Sequence, residues 1–254
     1  MTSSPATRCR IIVDPEPNSA SWNMAVDEAL LETAIHEDCS TVRVYRWSEP
    51  SVSLGYFQKP QLSPTNTQLA SLPMVQRLSG GGAILHHHEL TYSCAIAANH
   101  ALARSPHELY THIHDRVIEF LSRKGIDAAL RGEHQQSDEN QFLCFGRADA
   151  RDIIFRGHKI LGSAQRRRRG AVLQHGSLLL KQSEFAPQFP GLLDLADQIP
   201  IHEDWLDEFA ATIGCIFAEG TVHSLLTPDE FKRAGDLEVR HCRRSSPPIS
   251  TKSN

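Results

Sequence analysis

The chain has 254 residues, a 40% hydrophobic and 22% charged content and a formal net charge of −4, the make-up of a globular protein with a sizeable core. Seven basic residues stand against Asp152 alone between positions 151 and 170, a local charge of +6 that leaves −10 for the remainder, so nucleic-acid binding through an overall basic field is not supported. Cys9, Cys39, Cys94, Cys144, Cys215 and Cys242 form no CxxC pair or Cys/His ligand spacing, which argues against structural zinc and a disulfide framework, and with no signal-peptide-like start and no run of about 20 apolar residues the expectation is a cytoplasmic chain with no membrane partner.

Residues 1–8 and the tail RRSSPPISTKSN (243–254) are polar and read as disordered ends around one folded domain, residues 9–242. CRIIVD is a strand, and Asn18 or Ser19 caps a helix to about Ile35. TVRVYRW alternates with period two, and SVSLGYF and MVQRL give two further short strands. AILHHH and LTYSCAIA look like adjoining strands just beyond three glycines, 80–82. The clearest helix is 106–124: Ser105 and Glu108 suggest a capping box, Pro106 sits in the first turn, Leu109, Ile113, Val117, Phe120 and Leu121 share a face, and Gly125 ends it. IDAAL returns as a strand, DIIFRGHKILGS is a hairpin turning at Arg156-Gly157, and AVLQ and GSLLL are a pair of strand segments after the arginine run. EDWLDEFAATIGCIFA and DEFKRAGDLEVRHC, the latter behind a Thr227-x-x-Glu230 capping box, are helices. The pattern is α+β, a mainly antiparallel sheet backed by helices.

Each glycine weakens a helix or strand interior by roughly 0.5–1 kcal/mol, so Gly80-Gly81-Gly82 marks either a tight turn or a backbone nest that approaches a ligand carbonyl or phosphate. Neither GxxxxGK[ST] nor GxGxxG is present. His86 and His88 share a strand face, but no carboxylate or cysteine stands at ligand spacing, so no metal is expected; a histidine there supplies hydrogen bonds, and His175 lines a site or packs. A lone cysteine is usually a small buried hydrophobe, and every cysteine other than Cys144 is read that way. The Arg166–Arg169 run is either a solvated face or a basic rim for an acidic partner.

In order along the chain, Asn23-Met24-Ala25-Val26-Asp27-Glu28, SVSLGYFQKP, RLSGGGAILHHHELTYS, Cys144-Phe145, Lys159 with Gly162-Ser163-Ala164-Gln165, and Gln174-His175-Gly176-Ser177 resemble the biotin/lipoate protein ligase superfamily over about residues 11–240. The set looks most like the cysteine-dependent octanoyltransferase branch. Two positions depart from that pattern: His87 stands where the family often has an acid, and Gly82 matches the ligase form of the loop. The resemblance implies a class II aminoacyl-tRNA-synthetase-like catalytic domain. It also implies Cys144 as nucleophile, with Lys159 favouring its thiolate and steadying developing negative charge, and a substrate site drawn from Arg77, Ser79, Gly80, Gly81, Gly82, Ala83, His86, Gly162, Ser163, Ala164, His175 and Gly176. Octanoyl groups would then pass from an acyl carrier protein thioester through acyl-Cys144 to a lysine of a lipoyl domain or a glycine-cleavage H-type protein, without a cofactor. The alternatives are an ATP-dependent lipoate ligase, with ATP and Mg and with Lys159 on an adenylate phosphate, and a non-catalytic acyl- or lipoate-binding protein.

Overall fold

The computed structural model describes residues 8–58, 67–133, 142–196, 199 and 204–245. In chain order the elements are β1 (Arg8–Val13), α1 (Ala20–His36), β2 (Cys39–Tyr45), β3 (Ser51–Leu54), α2 (Thr67–Ala70), β4 (Met74–Gln76), β5 (Ile84–His86), β6 (Glu89–Ile96), α3 (Pro106–Arg123), β7 (Ala129–Leu130), β8 (Ile153–Phe155), β9 (His158–Arg168), β10 (Ala171–Leu179), α4 (Leu192–Leu195), α5 (Trp205–Gly214), β11 (Thr221–His223) and α6 (Pro228–Ser245). The expected disorder of both ends lies outside the described residues, except that β1 begins at Arg8, the last residue of the stretch read as disordered, and α6 continues to Ser245, into the stretch read as a tail.

Eight strands form one sheet in the order β11-β1-β2-β6-β10-β9-β8-β7, and β4-β3-β5 form a second. The large sheet is antiparallel from β2 to β7 and parallel across β11-β1-β2. Side-chain alternation along β1 sends Ile11 into a core with α3 and α5, and Ile12 into another with α1 and α6. The sheet is therefore covered on both faces. Its middle strands β6 and β10 are buried throughout, so polar residues there, such as Thr91, Ser93, Gln174 and Ser177, need internal partners.

Local chemistry accounts for the boundaries. Of the two candidate caps, Ser19 is the one used, its side chain accepting from Trp22 N. The hairpin turn falls at Arg156 and Gly157, both with positive φ. The expected capping box at Ser105 does not form: that residue ends the preceding single turn, its N–H taken by Leu102 O, and its side chain makes no cap bond. β5 and β6 belong to different sheets rather than adjoining, because the chain crosses from one sheet to the other through His87 and His88. IDAAL contributes only a two-residue edge strand, and AVLQ and GSLLL are a single strand, β10. The arginine run is itself mostly strand: Arg166 to Arg168 complete β9, with Arg169 in the turn.

The Thr227 box forms reciprocally, Thr227 N donating to Glu230 Oε2 at 2.9 Å and Glu230 N to Thr227 Oγ1 at 3.2 Å. Glu230 Oε1 also accepts from Thr33 Oγ1 at 2.9 Å and pairs with Arg10, tying α6 to α1 and β1. Among the described residues no helix is long and apolar enough to cross a membrane. Thr227→Ala is expected to cost about 1 kcal/mol and to lower Tm by about 2–4 °C, with Thr227→Ser recovering most of the loss in a thermal melt.

Candidate active site

The glycine loop joins β4 to β5 and is shaped by Arg77. Its guanidinium donates to Ser53 O (2.9 Å), Gly80 O (2.7 Å) and Gly82 O (2.6 Å), so loop carbonyls turn inward onto a buried cation. Beyond the loop, Ala83 pairs with the segment carrying the cysteine: Ala83 N donates to Phe142 O at 3.2 Å and Cys144 N to Ala83 O at 2.7 Å. The Cys144 sulfur lies 3.9 Å from where a Cβ on Gly81 would stand. Burial pushes the Arg77 guanidinium down to about 10, against the pull of the Cys144 sulfur; it remains a cation at neutral pH, next to the thiol.

Lys159 reaches the same cavity from β9. Its ammonium donates to Cys144 O at 3.3 Å and Arg147 O at 3.4 Å and pairs with Asp152 at 2.9 Å. Burial raises the Asp152 carboxyl, and Lys159 opposes that shift. The lysine side chain folds back across Gly162, where a Cβ would meet its Cε at 2.7 Å, so a side chain at this position would push the ammonium from its place. The cavity measures about 630 Å³. One part of its lining is Met24, Tyr45 and Trp47; another is Lys159, Asp152, Arg151 and Asp149. Tyr45 in β2 and Lys159 in β9 are separated by β6 and β10, a span of about 14 Å at strand spacing. Asp149 is held down to about 2 by two hydrogen bonds from the Arg151 side chain, despite partial burial.

Two histidines brace the loop from below. His175 reaches Ser79 through Nε2 and lies 3.5 Å from Asp27 through Nδ1. His86 bonds Ser53 Oγ at 2.7 Å and Glu89 at 2.6 Å, and stacks on Trp47 with ring centroids 3.7 Å apart. Of the residues expected to bind substrate, Arg77, Gly80, Gly81, Gly82, His86, Gly162, Ser163, Ala164, His175 and Gly176 line the cavity with Cys144 and Lys159. Ser79 and Ala83 do not: both are fully buried, one fixing His175 and the other pairing with the Cys144 segment.

The profile of the lipoyl protein ligase A/B catalytic domain matches residues 19–209. The chain belongs to this family. It is 35% identical over 184 residues to Octanoyltransferase LipM of Anoxybacillus flavithermus, with 68% of this chain and 66% of that protein aligned. It is 36% identical over 176 residues to the protein of the same name from Geobacillus kaustophilus, with 65% and 63% aligned. The chain thus spans just under two thirds of the length of these relatives. Among solved structures, lipoate-protein ligase A bound with ATP matches at TM-score 0.69 and 20% identity, covering 92% of this chain and 95% of that one. A bipartite lipoate protein ligase of Thermoplasma acidophilum, studied with its E2 lipoyl domain, matches at 0.68 and 19%, covering 92% and 93%. This likeness establishes the fold.

Other features of this lipoyl ligase-type domain were out of reach of a reading by motif. Asp152, the ion-pair partner of Lys159, is brought in by the β8–β9 hairpin, and Trp47 by a stack on His86. Among the described residues the group of three that could hold a metal ion is His87 and His88 with Glu184, not one built on the alternate pair His86 and His88, and two of the three are exposed. Among the described cysteines Cys9 and Cys94 are buried, but Cys39 is half-buried and Cys215 exposed, so the reading of all five as buried hydrophobes holds only in part; Cys242 has no described side chain.

His114 of α3 is also buried, its pKa pushed down to about 4 by burial. An unfolded chain takes up this proton near the ordinary 6.5, whereas the folded chain waits until about 4. Stability should therefore be full above that range and fall as pH drops through it, by at most about 1.4 kcal/mol per pH unit. Melts of the native chain and of His114→Gln across that window should show a shallower slope in the variant.

Proposed function

We propose that this domain transfers an octanoyl group from a carrier-protein thioester, through acyl-Cys144, to a lysine of a lipoyl-type acceptor. The observation that carries this reading is the convergence of a half-buried thiol on a glycine loop, a buried Arg77 and the Lys159 ammonium, inside a cavity that also has an apolar wall. The acyl chain lies toward Met24, Tyr45 and Trp47, with its carbonyl between Cys144 and the glycine loop. The Cys144 thiolate attacks the thioester carbon, the new C–S bond forms, and the donor thiolate leaves. Exchange of one thioester for another is close to neutral, so this step needs neither ATP nor a metal. The acceptor amine then attacks, and amide formation drives the sequence forward.

The donor fits an acyl carrier protein and the acceptor a lipoyl domain or glycine-cleavage H-type protein, in the cytoplasm, where thiols stay reduced. The relatives named octanoyltransferase support the transfer chemistry, and the Thermoplasma ligase studied with its lipoyl domain supports the class of acceptor. A second reading, ATP-dependent lipoate ligation, is favoured by the ligase form of the loop at Gly82 and by the ligases among the structural neighbours.

Incubating the chain with an octanoyl thioester, without ATP or acceptor, should place one octanoyl group on Cys144, detectable by peptide mass. Cys144→Ser should abolish turnover. Full activity in Cys144→Ala together with a requirement for ATP would replace this reading with the ligase.

The basic run contributes unevenly to encounter. Arg168 pairs with Glu32 at 2.5 Å and Arg167 donates to Ala103 O at 3.0 Å, so these brace α1 and the turn before α3. Arg166 lies over the Tyr56 ring at 4.4 Å, and Arg169 is exposed. Replacing Arg166 and Arg169 by alanine should lower kcat/KM for protein substrates several-fold at low salt and flatten its salt dependence, since exposed charges act over about 8–10 Å. Equal salt slopes for variant and native chain would assign the run to a solvated face.

A further inference from the structure

A line of buried and half-buried polar groups that the reaction above leaves unused runs beneath the cavity and ends at two backbone carbonyls. At one end the Gln165 amide donates to Pro106 O at 2.9 Å and to Gln174 Oε1 at 2.7 Å. Gln174 Nε2 then lies 3.2 Å from the Tyr92 hydroxyl, which is 2.6 Å from Ser163 Oγ. Ser163 Oγ is in turn 2.7 Å from His114 Nε2, and His114 Nδ1 is 2.6 Å from Arg151 O.

A backbone carbonyl only accepts, so each end of the line fixes the direction of its hydrogen bonds. Facing Arg151 O, His114 must carry its proton on Nδ1. The ring is neutral at ordinary pH, burial having lowered its pKa to about 4, so Nε2 is an acceptor and takes the single Ser163 proton. From the other end, Gln165 faces Pro106 O with its NH₂, Gln174 therefore turns its own NH₂ to Tyr92, and Tyr92 donates onward to Ser163. The two directions are set independently and agree at Ser163.

The Ser163 hydroxyl has one proton and two lone pairs. His114 uses the proton and Tyr92 one lone pair, so the second lone pair is the hydrogen-bonding capacity that the hydroxyl of this cavity-lining residue has left for a ligand. It presents an acceptor, not a donor for an oxyanion. The register supports the arrangement: Gly176 stands opposite both Ser163 and Tyr92 in the sheet, and a Cβ on it would fall 2.5 Å from Ser163 Oγ and 2.6 Å from Tyr92 Cε1.

We propose that Ser163 accepts an N–H of the attacking lysine amine in the second half-reaction, and that His114 and Tyr92 are positioning residues that hold its hydroxyl in the accepting state. The inference rests on the acyl-transfer reading. With one N–H held by Ser163, the amine lone pair faces the acyl carbon; the C–N bond forms as the C–S bond breaks, and the proton shed by nitrogen ends on the departing Cys144 sulfur. Ser163 keeps its own proton. In the first half-reaction the attacking group is a thiolate, which has no N–H for Ser163 to hold.

The test is a partition on one acyl-enzyme. The full chain is acylated with an octanoyl thioester, freed of excess donor, and mixed either with a lipoyl-domain acceptor or with a small thiol. In Ser163→Ala the ratio of aminolysis to thiolysis rates should fall roughly tenfold, the worth of one hydrogen bond in a transition state. Tyr92→Phe should move the same ratio in the same direction by a smaller factor, and provides the readout if the first variant folds poorly. Equal slowing of both reactions would overturn the proposal and make Ser163 a general pocket-shaping group; an unchanged ratio with unchanged rates would overturn it too. If the native chain forms no acyl-enzyme, the acyl-transfer reading has failed and this inference falls with it, a result separable from a failed partition.

Discussion

The guanidinium of Arg77 is the point on which the site's geometry depends. It is almost wholly buried, and its donors go to Ser53 O and Oγ in β3, the middle strand of the small sheet, and to Gly80 O and Gly82 O in the loop. Three consecutive glycines have no side chains with which to hold a conformation, so a central cation that collects their carbonyls is a direct way to impose one. The loop then delivers Ala83 to the Cys144 segment, and the thiol comes to rest beside the same cation. Chain geometry and thiol electrostatics thus share one residue.

Support for the loop continues down to the middle of the large sheet. Asp27, in α1, accepts from Arg43 at 3.1 Å, Tyr45 OH at 3.0 Å and Ser93 at 2.7 Å, and faces His175. Burial alone would raise its pKa; His175, Arg43 and Ser93 outweigh that and hold it below the ordinary range. Because His175 passes the connection on to Ser79, the acid of the NMAVDE segment reaches the glycine loop without touching the cavity. A buried carboxylate with several donors is costly to disturb, which gives the loop a rigid floor.

What could be read from the sequence was set by how local the cause was. The Thr227 box, the Ser19 cap and the Arg156-Gly157 turn each depend on a few adjacent residues, and all formed. Ser105 has the right residue types for a cap but also closes the turn before α3, a competing use of its backbone that spacing alone does not reveal. Cys144 and the glycine loop were matched by motif order, yet the pairing that joins them, through Ala83, is a long-range backbone contact. His114 carried no signal: it lies on a helix whose apolar face is conspicuous, and its meaning comes only from β9 packing Ser163 against it. Exposure of Cys215 was hidden for the same reason, since burial is a property of the assembled layers.

The distribution of charge around the cavity bears on the choice between transfer and ligation. Lys159 is paired with Asp152 and Arg151 with Asp149, so these two cations of the cavity lining are matched by carboxylates. Arg77 is enclosed by loop carbonyls. A nucleotide polyphosphate or an acyl-adenylate would have to compete with Asp152 for the lysine, displacing a short ion pair from a site where burial already raises the carboxyl. A thioester brings no net charge at its reacting centre and would leave both pairs intact. The paired wall therefore suits a neutral acyl donor, in keeping with the role proposed for Cys144.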